Sequence, residues 1–225
     1  MAGLNLSAFD VIGPTMVGPS SSHTAGAARI GFAARQLLNE TPILARFQLH
    51  GSFAATGRGH ATDRALLAGV LGETPDSEWL AHSFARAREA GLGFDFSSID
   101  LGEEAHPNTA VIHLTGALRQ VSLTAASVGG GVIAVTEIDG HPVAIQGSRS
   151  TLVCWHADHA GFLSMLTTLF AEVSANIASI STNRKARGGA ALTVVEADET
   201  IPPELAQRAA NIPGVNRLCL MRPLP

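Results

Sequence analysis

The segment Ser20-Ser21-Ser22-His23-Thr24 sets four hydroxyl side chains around one imidazole within five residues. Residues 24–39 follow with Ile30, Ala33, Ala34, Leu37 and Leu38 at helical spacing. A row of hydroxyls and backbone N–H groups just before a helix can cradle an anion, because the first N–H groups of a helix point outward at a ligand. The same residues can instead cap the helix, with Thr24 or Ser22 accepting an early backbone N–H. His60 closes the glycine-rich stretch Thr56-Gly57-Arg58-Gly59-His60. An imidazole titrates near neutrality, so His23 and His60 are candidate proton carriers or substrate anchors. The plainer role for His60 is a loop histidine bonded to a backbone carbonyl. His106 and Asn108 either line the same cleft or shape a turn before Thr109. Asp63 reads as the N-cap of a helix over 63–71. His50, His82, His113 and His141 read as structural or exposed, and no histidine pair has the i, i+4 spacing of a zinc helix.

Several elements must position these groups. Arg46–Phe53 alternates and predicts a strand. Residues 77–91 predict a helix, and 110–115 and 132–138 predict strands, the latter closing at Asp139-Gly140. Ser127 to Gly131 reads as a flexible, backbone-exposing segment. Gly147 to Ser150 is the best linker candidate, dividing the chain into 1–147 and 151–225. After it the pattern restarts: strand 151–156, a helix with apolar residues at 162, 163, 166, 169, 170 and 173, strand 177–182, a turn at 184–189, strand 190–196, a helix from Pro202 or Pro203 to Ala210, and strand 215–221. That β-α-β-β-α-β order is the ferredoxin-like arrangement, and the fold class expected for the whole chain is α+β.

Composition narrows the function classes. Of 225 residues, 46% are hydrophobic and 15% charged, enough apolar material for a real core. A net charge of −4 with no Tyr and two Trp offers neither a basic footprint nor stacking platforms for nucleic acid. The N-terminus, with a turn signal at Gly13-Pro14, lacks the features of a signal peptide, and no window reaches ~18 uninterrupted apolar residues. A cytoplasmic protein is expected. Cys154 and Cys219 are the only cysteines. Iron–sulfur clusters need about four thiolates, so this chain cannot hold one alone; both cysteines lie in apolar runs and read as core residues.

Val17 to Gly26, His50-Gly51-Ser52-Phe53-Ala54, Thr56 to Asp63 and His106-Pro107-Asn108-Thr109 together resemble the signature segments of L-serine dehydratase beta chains. Residues 151–222 resemble an ACT domain, through element order, Asp158 and Gly161 in the first loop, and Asn176 to Ile180 opening the second strand; Ala160 stands where that family usually has Pro. The resemblance implies an N-terminal domain similar to the allosteric substrate-binding domain of some phosphoglycerate dehydrogenases. It implies conversion of L-serine to pyruvate and ammonia with an alpha subunit that carries a four-iron, four-sulfur cluster. It further implies catalytic roles for His60, His23 and Ser22, and substrate contacts from Ser20, Ser21, Thr24, His106 and Asn108. An amino-acid effector is expected at Asp158, Gly161 and Asn176, and self-association as a homodimer. The competing expectation is a purely regulatory amino-acid-binding module.

Overall fold

A computed structural model of the chain describes residues 20–57 and 59–225. The turn expected at Gly13-Pro14, the Val17-Gly18-Pro19 start of the serine-rich motif and Arg58 lie outside the described residues. The chain divides into two compact units between Thr136 and Glu137, ahead of the segment Gly147 to Ser150. Each is mixed α+β and built on a sheet.

The first unit opens with a wide π-helical turn, Ser21–Gly26, that runs directly into α1 (Ala27–Leu38). The turn is capped by Ser20, not by Ser22 or Thr24: Ser20 is extended and its Oγ accepts the N–H of His23 at 3.2 Å. α1 ends at Asn39, whose left-handed backbone stops the helix. β1 (Leu44–Leu49) is shorter than the expected strand, because Gly51 takes φ +55° and the chain turns into α2 (Gly51–Thr56). α3 (Thr62–Leu71) starts from Ala61, and Asp63 lies in its first turn, where its Oδ1 accepts the neighbouring N–H of Arg64. Asp63 is therefore not the N-cap; the buried Thr62 takes the position before it. A 3-10 turn, Glu78–His82, leads into α4 (Ser83–Glu89). β2 (Gly93–Ser98) pairs parallel with β1, a strand the sequence reading missed. β3 (Thr109–Thr115) pairs antiparallel with β1 and with β4 (Gln120–Gly129). With β5 (Val132–Ile138), the order is β2-β1-β3-β4-β5. Ser127, Val128 and Gly129 are thus strand residues, and only Gly130 and Gly131 make the turn.

The helices cover one face of this sheet. Ile30, Leu37 and Leu38 of α1, Leu66 and Leu67 of α3, and Phe47, Ile112 and Leu123 of the strands are fully buried. Each such side chain contributes roughly 1.5–3 kcal/mol relative to exposure. α1 and α3 touch backbone to backbone. A Cβ on Gly31 would meet the Leu66 carbonyl oxygen at 2.1 Å, and one on Gly69 would meet the Ala28 oxygen at 2.0 Å. Only glycine permits that approach.

The second unit begins with β6 (His141–Ile145), after the Asp139-Gly140 turn whose two positive φ values suit a tight hairpin. Then come β7 (Ser150–Ala157), α5 (Phe162–Glu172), β8 (Ile177–Arg184), β9 (Ala190–Ala197), α6 (Pro203–Ala210) and β10 (Val215–Met221). The antiparallel sheet has the order β10-β7-β9-β8. The central strand β9 is buried from Ala191 to Ala197, whereas β8 is an edge strand and mostly exposed. Leu152, Cys154, Phe162, Leu166, Phe170, Val195 and Leu205 form its core.

Candidate functional site

Ser20, Ser21, Ser22 and His23 are half-buried at the start of the long helical run, and Thr24 is buried. No acidic side chain occupies the first turn, so its outward N–H groups keep their positive character. The Thr24 hydroxyl donates to the His60 carbonyl at 3.4 Å, tying this ledge to the glycine-rich loop.

α2 supplies the opposite wall. His23 Nε2 lies 3.2 Å from Ser52 Oγ and 3.2 Å from Thr56 Oγ1. Its ring meets Phe53 edge-on at 5.3 Å between centroids and His60 at 5.0 Å. Burial, followed by the nearby His60 imidazole, holds His23 below its ordinary pKa, so it is neutral at pH 7. His60 is exposed; its backbone N–H and its Nδ1 both reach the Thr56 carbonyl, at 3.2 and 3.3 Å. The structure thus brings His23, His60, Ser20 and Thr24 together, with Ser21 and Ser22 on the adjoining helix start.

The segment 106–109 abuts the same wall. The Pro107 carbonyl accepts the Phe53 N–H at 3.3 Å, and a Cβ on Gly51 would meet Pro107 at 2.7 Å. His106 is exposed, its Nδ1 accepts the Asn108 N–H at 3.1 Å, and desolvation lowers its pKa. The Asn108 carbonyl accepts the Ser127 N–H at 3.0 Å. The side-chain oxygens of Asn108 and Ser127 are both buried with no hydrogen-bond partner among the described residues. Such orphans cost about 1–3 kcal/mol each and mark where a bound group or water belongs. A Cβ on Gly26 would clash with Ser127 Oγ at 2.0 Å, so β4 lies directly against the helix start.

Sequence reasoning missed Ser52, Thr56 and Ser127 as site residues. Ser52, Thr56 and His60 are spaced four apart, which is a helical signal; reading 46–53 as a strand concealed it. A cavity of about 330 Å³ opens beside α2, lined by Leu49, Phe53, Phe96, Asp63, Ser97 and Ser98 among others, but by neither imidazole.

In the second unit, Asp158 Oδ2 accepts from Arg184 Nη1 at 2.7 Å and from the Gly188 N–H at 2.9 Å. Those bonds, the backbone one foremost, lower its pKa. Arg184 is therefore an ion-pair partner of Asp158. Asn176 donates from Nδ2 to Asp198 at 2.7 Å, and its N–H reaches Glu199 at 2.7 Å. Gly161 has φ +88° and open space where a Cβ would point. His156 is buried and stacked on Phe162. The two thiols do not fit a cluster: both are buried on neighbouring strands, and burial together with Cys219 pushes Cys154 up to about 12. Among the described residues no group of three or more His, Cys, Asp or Glu is arranged to hold a metal ion.

The family described as serine dehydratase beta chain matches residues 7–92. The chain is 37% identical over 200 residues to the L-serine dehydratase beta chain of Peptoniphilus asaccharolyticus, covering 88% of this chain and 90% of that one. It is 35% identical over 209 residues to a probable L-serine dehydratase beta chain of Bacillus subtilis, covering 93% and 94%. A D-3-phosphoglycerate dehydrogenase of Bacillus subtilis is 23% identical over 190 residues, which is 84% of this chain and 36% of the relative.

Proposed function

Because the chain belongs to the serine dehydratase beta chain family, we propose that it acts with an alpha subunit to convert L-serine to pyruvate and ammonia. L-Serine loses its Cα proton and its β-hydroxyl, giving 2-aminoacrylate and water. The imine tautomer of 2-aminoacrylate then adds water and releases ammonia, leaving pyruvate. The observation that carries this reading is the pair of imidazoles 5.0 Å apart beside an acid-free helix start. The N–H groups and hydroxyls of Ser20, Ser21 and Ser22 suit the substrate carboxylate, while Thr24, whose N–H and hydroxyl are bonded to the Ser20 and His60 carbonyls, holds the ledge in place. An imidazole, that of His60 or His23, suits the Cα proton. The orphaned Asn108 Oδ1 suits a donor such as the substrate ammonium, and His106 adjoins it. In this reading the four-iron, four-sulfur cluster belongs to the alpha subunit, and Cys154 and Cys219 stay in the core.

The test is anaerobic co-expression with the alpha partner and an assay of pyruvate. His60→Ala and Ser22→Ala are each expected to cut turnover at saturating serine, and the isolated chain is expected to be inactive. Unchanged turnover in both variants leaves the regulatory reading, in which the chain only binds an amino acid. The partial match to a D-3-phosphoglycerate dehydrogenase, named for another reaction, favours that second reading.

The second unit reads as an ACT domain that takes an amino-acid effector near Asp158, Gly161 and Asn176. Exposed Leu163, Met165, Val173 and Ile180, the last on an edge strand, support pairing into a homodimer. Among the described residues no helix is long and apolar enough to cross a membrane. Two free thiols suit the reducing cytoplasm.

A further inference from the structure

Thr56 stands between the two imidazoles and meets each through a different atom. Its hydroxyl donates to the Ser52 carbonyl at 2.9 Å, the back-bond a helical threonine makes four residues toward the N-terminus. A hydroxyl has one proton, so with that proton committed Thr56 Oγ1 can only accept. Of the two hydroxyls 3.2 Å from His23 Nε2, Ser52 Oγ can donate or accept and so imposes no tautomer, whereas Thr56 Oγ1 can only accept; satisfying both puts the proton on Nε2. The lone pair of His23 then sits on Nδ1, which faces Ser20 Oγ at 3.5 Å. The other contact is simpler. The Thr56 carbonyl has no proton to give, so His60 Nδ1, at 3.3 Å, is the donor. The lone pair of His60 is then on Nε2.

We propose that Thr56 is a positioning residue that fixes opposite tautomers on the two imidazoles, Nε2–H on His23 and Nδ1–H on His60, making Nδ1 of His23 and Nε2 of His60 the proton-accepting atoms of the site. The tautomers stand on geometry alone; their catalytic use rests on the function proposed above. The consequence for chemistry is direct. A neutral imidazole takes a proton only at the nitrogen that bears the lone pair, so the wrong tautomer presents an N–H where a base is needed.

The test uses the full chain labelled with nitrogen-15 histidine, at mildly alkaline pH, read by long-range proton–nitrogen correlation. His23→Gln and His60→Gln assign the two rings by loss of their signals. The expected wild-type patterns are Nε2–H for His23 and Nδ1–H for His60. Thr56→Val removes the hydroxyl but keeps the carbonyl. It is expected to move His23 toward a mixture of tautomers, with His60 unchanged, and Thr56→Ser is expected to restore His23. An Nδ1–H pattern on His23, an Nε2–H pattern on His60, or a His23 pattern indifferent to Thr56→Val overturns the proposal. In the complex with the alpha subunit, Thr56→Val is expected to lower kcat about 10-fold with little change in KM, the size typical of losing a group that orients a functional histidine. If the tautomers are as stated and shift as stated, yet kcat is unmoved, the assignment stands and the catalytic reading of the site fails.

Discussion

His23 and His156 are both imidazoles whose pKa is lowered chiefly by burial, but they sit in opposite kinds of surroundings. His156 is sealed. Its ring stacks on Phe162 at 3.6 Å between centroids, its Nδ1 donates to a backbone carbonyl at 2.9 Å, and its Nε2 meets Thr193 Oγ1 at 2.8 Å, which in turn meets Thr182 Oγ1 at 2.8 Å. Every polar atom of that chain is satisfied within the sheet. His23 has a second imidazole beside it, and the orphaned oxygens of Asn108 and Ser127 lie on the neighbouring strand and loop. A satisfied polar network specifies architecture, whereas titratable groups gathered beside unsatisfied ones leave room for a ligand. The contrast is what the proposed function calls for, with chemistry in the first unit and framework at the histidine of the second.

Substitution should separate the two. The largest effect is expected from His60→Ala, which should lower turnover of the assembled enzyme about 10²–10⁴-fold, the usual worth of a general base. Its thermal midpoint should barely move, because the side chain is exposed. His156→Ala should do the reverse. Losing a stacked, buried ring and its bond to Thr193 should cost about 3 kcal/mol in denaturant unfolding, with turnover of the folded fraction preserved. If His156→Ala abolishes turnover in a folded protein, the division of labour is wrong. Gly69→Ala comes next. Its methyl would enter the Ala28 carbonyl, and overpacking of this kind costs about 1–3 kcal/mol.

The expected pH effect is smaller. His23 and His156 are held below the ordinary imidazole value of 6.5. The unfolded chain therefore takes up their protons first as pH falls. Their contribution to stability is constant above about 6.5 and declines below it. His159 runs the other way: its nitrogens face the Ala160 and Pro213 carbonyls, which raise its pKa. Its contribution is present at low pH and lost as pH rises through the raised value. Denaturant midpoints across this range for His23→Gln and His156→Gln should each flatten the acid limb. The smallest effect belongs to Arg184→Ala. It should let the Asp158 pKa rise toward the ordinary carboxylate value in an NMR titration, with little change in the melting midpoint.

Much of this was legible in the chain itself. The helices and strands of the second unit follow from strong apolar periodicity between turns, and Pro203 starts α6 where a fixed φ is wanted. The first unit resisted in three places. Residues 46–53 alternate like a strand, but the positive φ at Gly51 ends the strand and hides a helix that carries Ser52 and Thr56. β2 is short and at the sheet edge, with only Phe94 and Phe96 to betray it. Ser127 precedes a glycine run that looks like loop, yet it is fully buried in β4. The serine–histidine motif announced itself by residue type. Its partners did not, because they reach it from separate elements, and local pattern carries no information about which elements meet.

The glycine contact between α1 and α3 has a dynamic consequence. With two backbones interlocked at Gly31 and Gly69, the ledge that begins at Ser20 cannot tilt without dragging α3 along. Amide hydrogens of both helices should therefore exchange with solvent as one cooperative block, and a single added methyl at either glycine should loosen them together.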